Sequence, residues 1–250
     1  QDRSLKGVSN PLRGTPAMAA EQSPAAPADA GDPDTLREVL GSGQAQPRTP
    51  KAQRTQQKLL DAAAHVFARH GYEATRVSDV CERAGVAHGS FYRYFRDKDA
   101  ILQELLLRLY AELGRATRAP DSGREPFELT AFLTQLETFN VRFFHEYAAR
   151  RGLLRVAREA AASAGAGCFR DIWFAMRGRF IERTQRLIER LQAAGMAGGL
   201  DPQLTAEALG SVSEQMAYVL VGLPDEVPDE ARLTAIGRAC HAVWSRTLFP

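Results

Sequence analysis

The sequence predicts an all-α protein, and three observations carry that expectation. From Lys51 almost to the end, apolar residues recur at intervals of three and four, the spacing that gathers them on one face of a helix. Glycines, and one Asp-Pro pair, fall where such runs stop and start. Nowhere does the two-residue alternation of a strand occur between hairpin signals, and no repeat of fixed period runs through the chain.

Composition sets the class of protein. With 250 residues, 44% of them apolar, the chain can bury a sizeable core in one large domain or two modest ones. The longest apolar stretches, such as residues 101–107, meet charged or amide side chains well before the ~18 residues a membrane span needs, so no membrane segment is expected. No basic start followed by an apolar stretch and a small-residue cleavage site is present, and a cytoplasmic protein is the expectation. Cys81, Cys168 and Cys240 lie far apart and form no CxxC pair, which favours free thiols over disulfides or a zinc site; neither metal nor cofactor is expected. The net charge of +2 neither requires nor forbids a nucleic-acid partner. Locally, residues 51–115 hold 11 Lys or Arg against 8 Asp or Glu, with Lys51, Arg54, Arg76, Arg93, Arg96 and Lys98 near the ends of the elements described next.

Residues 1–50 carry 7 of the 13 prolines and no aromatic side chain, so they read as a disordered Pro/Ala-rich tail that cannot offset the entropy of ordering. Within it, residues 34–40 could form a marginal turn or two of helix. Leu59, Leu60, Ala63, Val66 and Phe67 then mark a first helix closed by Gly71. Val77, Val80, Cys81 and Ala84 mark a second of about two turns, stopped by Gly85, with either Thr75 or Ser78 able to supply its capping oxygen. Residues 88–94 form a third. Asp97 opens a long fourth helix carrying Ile101, Leu102, Leu105, Leu106, Leu109 and Leu113. After a turn-rich segment over 120–126, Leu129 to Phe144 keep one face apolar, and Leu153, Leu154, Val156 and Ala157 begin a separate segment after Gly152. The longest helix is expected over 169–194. Residues 195–199 end it, and Asp201-Pro202 caps and opens the next, which runs to about Gly222. The last spans about 229–248, with Leu233, Ile236, Cys240, Val243, Trp244 and Thr247 on one side.

The stretch GVAHGSFYRYF, residues 85–95, is written unlike an amphipathic helix. Helix two, a tight turn at Ala84, Gly85 and Val86, and helix three make a helix-turn-helix. Val80, Val86 and Phe91 fill the wedge between the helices. Ala87, His88, Gly89 and Ser90 are small or polar, suited to a major groove ~12 Å wide. Tyr92 and Tyr94 can donate to phosphate oxygens, and Arg93 and Lys98 bring charge to the flanking backbone. His88 reads equally as a base contact or as a solvent-facing side chain beside DNA. Arg76 reads as a phosphate contact or a solvated surface arginine.

The run GYEATRVSDVCERAGVAHGSFYRYFRDKDAILQEL, preceded by LLDAAAHVFARH, resembles the DNA-binding region of the TetR family of transcriptional regulators. There a threonine-led short helix, AGV, a small-residue glycine, an aromatic YxYF and a lysine in the next helix recur in that order. The resemblance covers about residues 54–107. It implies a three-helix DNA-binding domain over 51–97, followed by a larger helical domain over 98–250 that binds an effector and dimerises. It also implies a DNA-contacting set of Arg54, Thr75, Arg76, Ser78, Ala87, His88, Gly89, Ser90, Tyr92, Arg93, Tyr94 and Lys98. Of these, Tyr92, Tyr94 and Lys98 would clamp phosphates, Ser78 would touch the backbone, and His88, Ser90 and Arg93 would face bases. Arg76 stands where many relatives carry a small hydroxyl residue, and His88 follows Ala87 where a serine often leads helix three, so the resemblance leaves open which bases are read. The C-terminal part is similar in layout to the ethionamide-resistance regulators of that family. That likeness implies a long, largely apolar channel with Phe143, Phe144, Tyr147, Trp173, Met176, Phe180, Ser213 and Trp244 as lining candidates. The implied partners are double-stranded DNA with a palindromic operator, a small apolar or amphipathic effector, and a second copy of the chain through the last two helices. A repressor released by its effector is the implied function.

No GxSxG, HExxH, GxxxxGK[ST] or GxGxxG pattern is present, and His145-Glu146 lacks the second histidine a zinc site would need, so catalysis is not expected. A bare helical scaffold would leave the groove-sized polar edge of helix three without a purpose.

Overall fold

The computed structural model describes residues 49–116, 128–163 and 167–250. The tail expected over 1–50 lies outside the described residues up to residue 48, as do the turns of helix over 34–40 and the turn-rich segment over 120–126. Among the described residues every regular element is helical. In chain order these are α1 (Pro50–Ala74), α2 (Val77–Ala84), α3 (His88–Phe91), α4 (Lys98–Ala116), α5 (Leu129–Ala162), α6 (Gly167–Ala193), α7 (Pro202–Ala217) and α8 (Glu230–Leu248). A π turn, Tyr218–Gly222, extends α7.

Helix ends follow local chemistry. Thr49 caps α1, its hydroxyl accepting from the Ala52 N–H at 3.2 Å, and Pro50 sits where its missing N–H costs nothing. Gly71, at φ 76°, ends the helical run of α1, as the sequence predicts, and a bent turn follows to Ala74. Asp201 caps α7 through the Leu204 N–H at 2.8 Å, and Asp229 caps α8 through the Arg232 N–H at 2.7 Å. Asp97 does the same for α4 through the Ala100 N–H at 2.8 Å.

Three expectations need correction. Neither Thr75 nor Ser78 caps α2; the Asp79 carboxylate accepts from the Arg76 N–H at 2.9 Å and closes that end from inside the helix. The third helix is a single turn, His88–Phe91, followed by turns through Tyr94. Finally, Gly152 interrupts nothing. It lies inside α5, a continuous 34-residue helix, which is therefore longer than the 27-residue α6. Gly152 is needed for packing: a Cβ there would meet the Ala68 Cβ at 2.8 Å, so glycine lets α5 cross α1 closely.

Packing builds one continuous core. In the N-terminal part Leu59, Leu60, Phe67, Val80, Phe91, Phe95 and Ile101 are fully buried. In the C-terminal part Phe144, Phe169, Leu187, Ile188 and Trp244 are. Helix α5 is the spine, packing on α1 and α4 toward its C-terminal half, on α6, and extensively on α8. The Arg151 guanidinium, near its middle, donates to the carbonyls of Val221, Pro224, Asp225 and Glu226 at 2.6–3.2 Å, tying down the chain between the π turn and α8.

Candidate nucleic-acid interface and internal cavity

The turn from α2 into α3 is built from backbone. Gly85 sits at φ 64°, ψ 36°, and its N–H donates to the Glu82 carbonyl while the Val86 N–H donates to Cys81 at 3.0 Å. A left-handed residue at a helix end costs glycine little, which is why the helix stops there. Below the turn, the Phe91 and Phe95 rings pack 5.7 Å apart and, with Val80, close the wedge; Val86 packs against them, partly buried. Burial of these rings holds α3, too short to be stable alone, in one orientation.

On the opposite side Ala87, His88, Gly89 and Arg93 are exposed, Tyr92 is 53% exposed, and Ser90 and Tyr94 are half-buried. His88 and Tyr92 meet edge-to-face at 5.3 Å, so the imidazole and the phenol support one another at the rim. Arg54, Arg76 and Ser78 are exposed as well, with the Ser78 hydroxyl donating to Asp79 at 3.3 Å. Two candidates behave differently. Thr75 is buried, and its hydroxyl donates to the Gly71 carbonyl at 2.7 Å, taking up an acceptor freed where α1 bends; it holds the turn and presents nothing to a ligand. Lys98 is half-buried, its ammonium donating to the carbonyls of Tyr72, Glu73 and Thr75 at 3.1–3.4 Å and lying 4.4 Å from the Tyr72 ring centre. In this conformation Lys98 fastens α4 to the end of α1.

In the C-terminal half, α4, α5, α6 and α7 surround a cavity of about 90 Å³. Phe143, Tyr147, Trp173, Met176, Phe180 and Ser213 line it, as the sequence predicts. Phe144 and Trp244 do not. Phe144 is buried behind the edge of Phe143, and Trp244 is buried against Phe139 and Phe180 with its Nε1–H donating to Ser213 Oγ at 3.0 Å. Ser213 is itself committed, donating to the Leu209 carbonyl at 2.9 Å and touching Cys240 Sγ at 3.4 Å. In the cavity wall the rings of Phe143 on α5 and Phe180 on α6 lie 6.5 Å apart.

Sequence reasoning missed much of the wall: Tyr110, Leu113 and Gly114 on α4, Leu154 and Arg158 on α5, Arg177, Ile181 and Arg183 on α6, and Gly210 and Glu214 on α7. One signal was legible, a single tyrosine among the leucines of the buried face of α4. Arg158 lies over the Tyr218 ring at 3.8 Å, and Arg177 donates to Glu207 at 2.6 Å and to Ser211 at 2.9 Å. Burial pushes the Tyr147 phenol up to about 12, with Arg158 opposing the shift and Glu214 and Tyr218 adding to it. Burial also pushes Tyr110 well above the ordinary tyrosine range, assisted by Tyr147 and Glu214. Among the described residues no helix is long and apolar enough to cross a membrane, and no cluster of His, Cys, Asp or Glu could hold a metal.

Comparison with known proteins agrees with this geometry. Residues 59–105, covering most of α1 through the first part of α4, match the family of bacterial regulatory proteins, tetR family. The transcriptional regulator UidR of Escherichia coli K12 is 22% identical over 195 residues, covering 77% of this chain and 92% of that protein. The transcriptional repressor KstR of Mycobacterium tuberculosis is 36% identical over 85 residues, 33% of this chain and 39% of KstR. Among solved structures, GusR of Salmonella enterica aligns with TM-score 0.62 at 16% identity over 78% of this chain and 96% of its own. A complex of SmeT with triclosan aligns with TM-score 0.61 at 20% identity over 79% and 93%. The relatives are transcriptional regulators rather than enzymes, and residues 59–105 give this chain a DNA-binding region of the tetR family type.

Proposed function

We propose that the protein is a repressor that binds a palindromic operator as a homodimer and leaves it when a small apolar or amphipathic molecule occupies the cavity between α4 and α7. The observation that carries the DNA-binding part is the polar edge of α3, exposed on a wedge of buried aromatic rings. Residues 51–97 form the DNA-binding unit, and residues 98–250 the effector-binding and dimerisation unit. At the interface His88, Ser90 and Arg93 face bases, while Arg54, Arg76, Ser78, Tyr92 and Tyr94 meet the sugar-phosphate backbone, with Ala87 and Gly89 allowing close approach.

Dimerisation runs through the last two helices and the loop joining them. Val219, Leu223, Val227 and Val243 are large apolar side chains left exposed there, an arrangement that a second copy would cover. Two α3 turns then meet successive major grooves, one helical turn being ~34 Å.

Helix α5 supplies the link between the two functions. It contributes Phe143, Tyr147, Leu154 and Arg158 to the cavity wall. It also touches α1 through Gly152 on Ala68 and Arg155 on the Ala68 carbonyl at 3.4 Å, and Ser163, just past its end, donates its hydroxyl to Glu73 at 3.0 Å. A ligand that binds one spacing of the two α3 turns better than the other shifts the population toward it, and that differential affinity is the whole mechanism. SmeT is described as the repressor of a multidrug efflux pump and has been solved with triclosan, which supports a small, apolar effector by likeness.

Gel shift against genomic fragments tests the reading. Sequence-selective binding that weakens steeply with salt is expected, and binding without selectivity would refute it. Within a selected operator, Tyr92→Phe should weaken binding to every sequence variant by a similar few-fold factor, whereas His88→Ala should reorder the preferences among variants. A uniform loss for His88→Ala across an operator library would remove its base-reading role.

A further inference from the structure

Three of the four charged side chains in the cavity wall, Arg158, Arg177 and Glu214, pair with one another or with Glu207 beside the wall. Arg177 reaches Glu207 at 2.6 Å and Glu214 at 3.4 Å, and Glu214 also lies 4.0 Å from Arg158. The order Arg158, Glu214, Arg177, Glu207 alternates in sign and sums to zero. Arg183 donates to the carbonyls of Arg179 and Gly114 at 3.3 and 3.5 Å. Ser213 already serves Leu209 and Trp244. Among the described residues two buried side-chain polar atoms lack a hydrogen-bond partner, Tyr110 Oη and His241 Nδ1, and of these only Tyr110 belongs to the cavity wall.

An unmet buried hydroxyl costs about 1–3 kcal/mol, so it marks where a partner is missing. The Tyr110 ring is 5% exposed and emerges from the Leu-rich face of α4, and its phenol feels Tyr147 and Glu214 across the chamber. Burial and the negative charge of Glu214 both keep its proton on, which makes Tyr110 a donor. The same wall carries Phe143, Trp173, Met176 and Phe180. A carboxylate entering here would be set against Glu214, and an ammonium against Arg158, Arg177 and Arg183; either would compete with ion pairs already made.

Resting on the reading of this cavity as the effector site, we infer that its ligand is an uncharged, largely apolar molecule with a hydrogen-bond acceptor, a carbonyl or ether oxygen, that accepts from the Tyr110 hydroxyl. Tyr110 is thereby the specificity-determining residue of the site, and the apolar wall supplies affinity without direction.

Four probes of one size and different chemistry test this: acetophenone, ethylbenzene, benzoate and benzylamine, titrated into the full chain while quenching of tryptophan fluorescence is followed, since Trp173 is in the wall. Acetophenone should bind about fivefold to tenfold more tightly than ethylbenzene, the worth of one neutral hydrogen bond, and both should exceed the charged probes. In Tyr110→Phe acetophenone should fall to the level of ethylbenzene, whose own affinity stays unchanged. Independently of that variant, the carbonyl carbon of labelled acetophenone should shift downfield on binding to the unaltered protein. A charged probe binding most tightly, a ketone preference that survives Tyr110→Phe, or an unshifted carbonyl would overturn the inference. Equal binding of ketone and hydrocarbon would overturn it while leaving the cavity as the effector site. Failure of all four to bind would remove both.

Discussion

Lys98 and Tyr110 are two side chains whose roles depend on what surrounds them. The ammonium of Lys98 is drawn to three main-chain carbonyls left over where α1 ends, a favourable position for a cation beside a helix C-terminus. Lys98→Met should therefore lower stability by about 1 kcal/mol, or roughly 2–4 °C in thermal melting, in the absence of DNA. An unchanged melting temperature would instead return Lys98 to a role on the surface. Tyr110 and Tyr147 are held as neutral phenols by burial, with folded-state values above the ordinary 10. The folded protein thus holds these protons more tightly than the unfolded chain does. Their contribution is complete below pH 10 and is lost as pH rises from 10 toward 12, so stability should fall across that window. Thermal melts at stepped alkaline pH should show the fall, and a shallower one in Tyr110→Phe.

Between elements, contacts are governed by how closely backbones approach. Gly152 brings α5 onto α1, and Gly237 does the same for α8 on α5, where an added Cβ would stand 2.5 Å from the Cα of Val141. Neither glycine is at a turn. Gly152→Val should destabilise the protein by about 1–3 kcal/mol and loosen the link between cavity and DNA-binding unit. Ala68→Gly, which removes the atom it strikes, should restore part of the loss; no recovery in the double variant, measured by denaturant unfolding, would show that the clash lies elsewhere. Sequence reasoning took Gly152 for a stop signal because an isolated glycine in a helical pattern carries the same local signature whether it ends a helix or accommodates a neighbour. Gly71 and Gly85 were legible because a new apolar pattern starts soon after each, in a different phase.

Across the whole molecule, Val219, Leu223, Val227 and Val243 are the exposed apolar side chains that the proposed pairing through the last two helices would cover. On the proposed pairing, Val243→Arg should shift the protein from dimer to monomer in sedimentation and lower operator affinity at least tenfold, since a single α3 turn then acts alone. A monomeric variant with undiminished affinity would separate DNA binding from pairing. The salt slope of operator binding reports the number of phosphates engaged and should decrease by about one for each proposed phosphate contact removed, Arg54 and Arg76 among them.

The sequence by itself determined the helical class, the glycine stops of α1 and α2, the aspartate-led starts of α7 and α8, the aromatic wedge under α3 and the set of small and polar residues exposed on it. These are local properties, written in periodicity, capping residues and glycine placement within a few positions of one another. Only the tertiary structure decided that Thr75 is buried, that Lys98 spends its charge on α1, that α5 runs unbroken, and that Tyr110 rather than Ser213 is the unmet polar group of the cavity. Most of those depend on groups tens of residues away, and whether a side chain is exposed, satisfied or orphaned is a property of the space around it, which spacing along one helix does not specify.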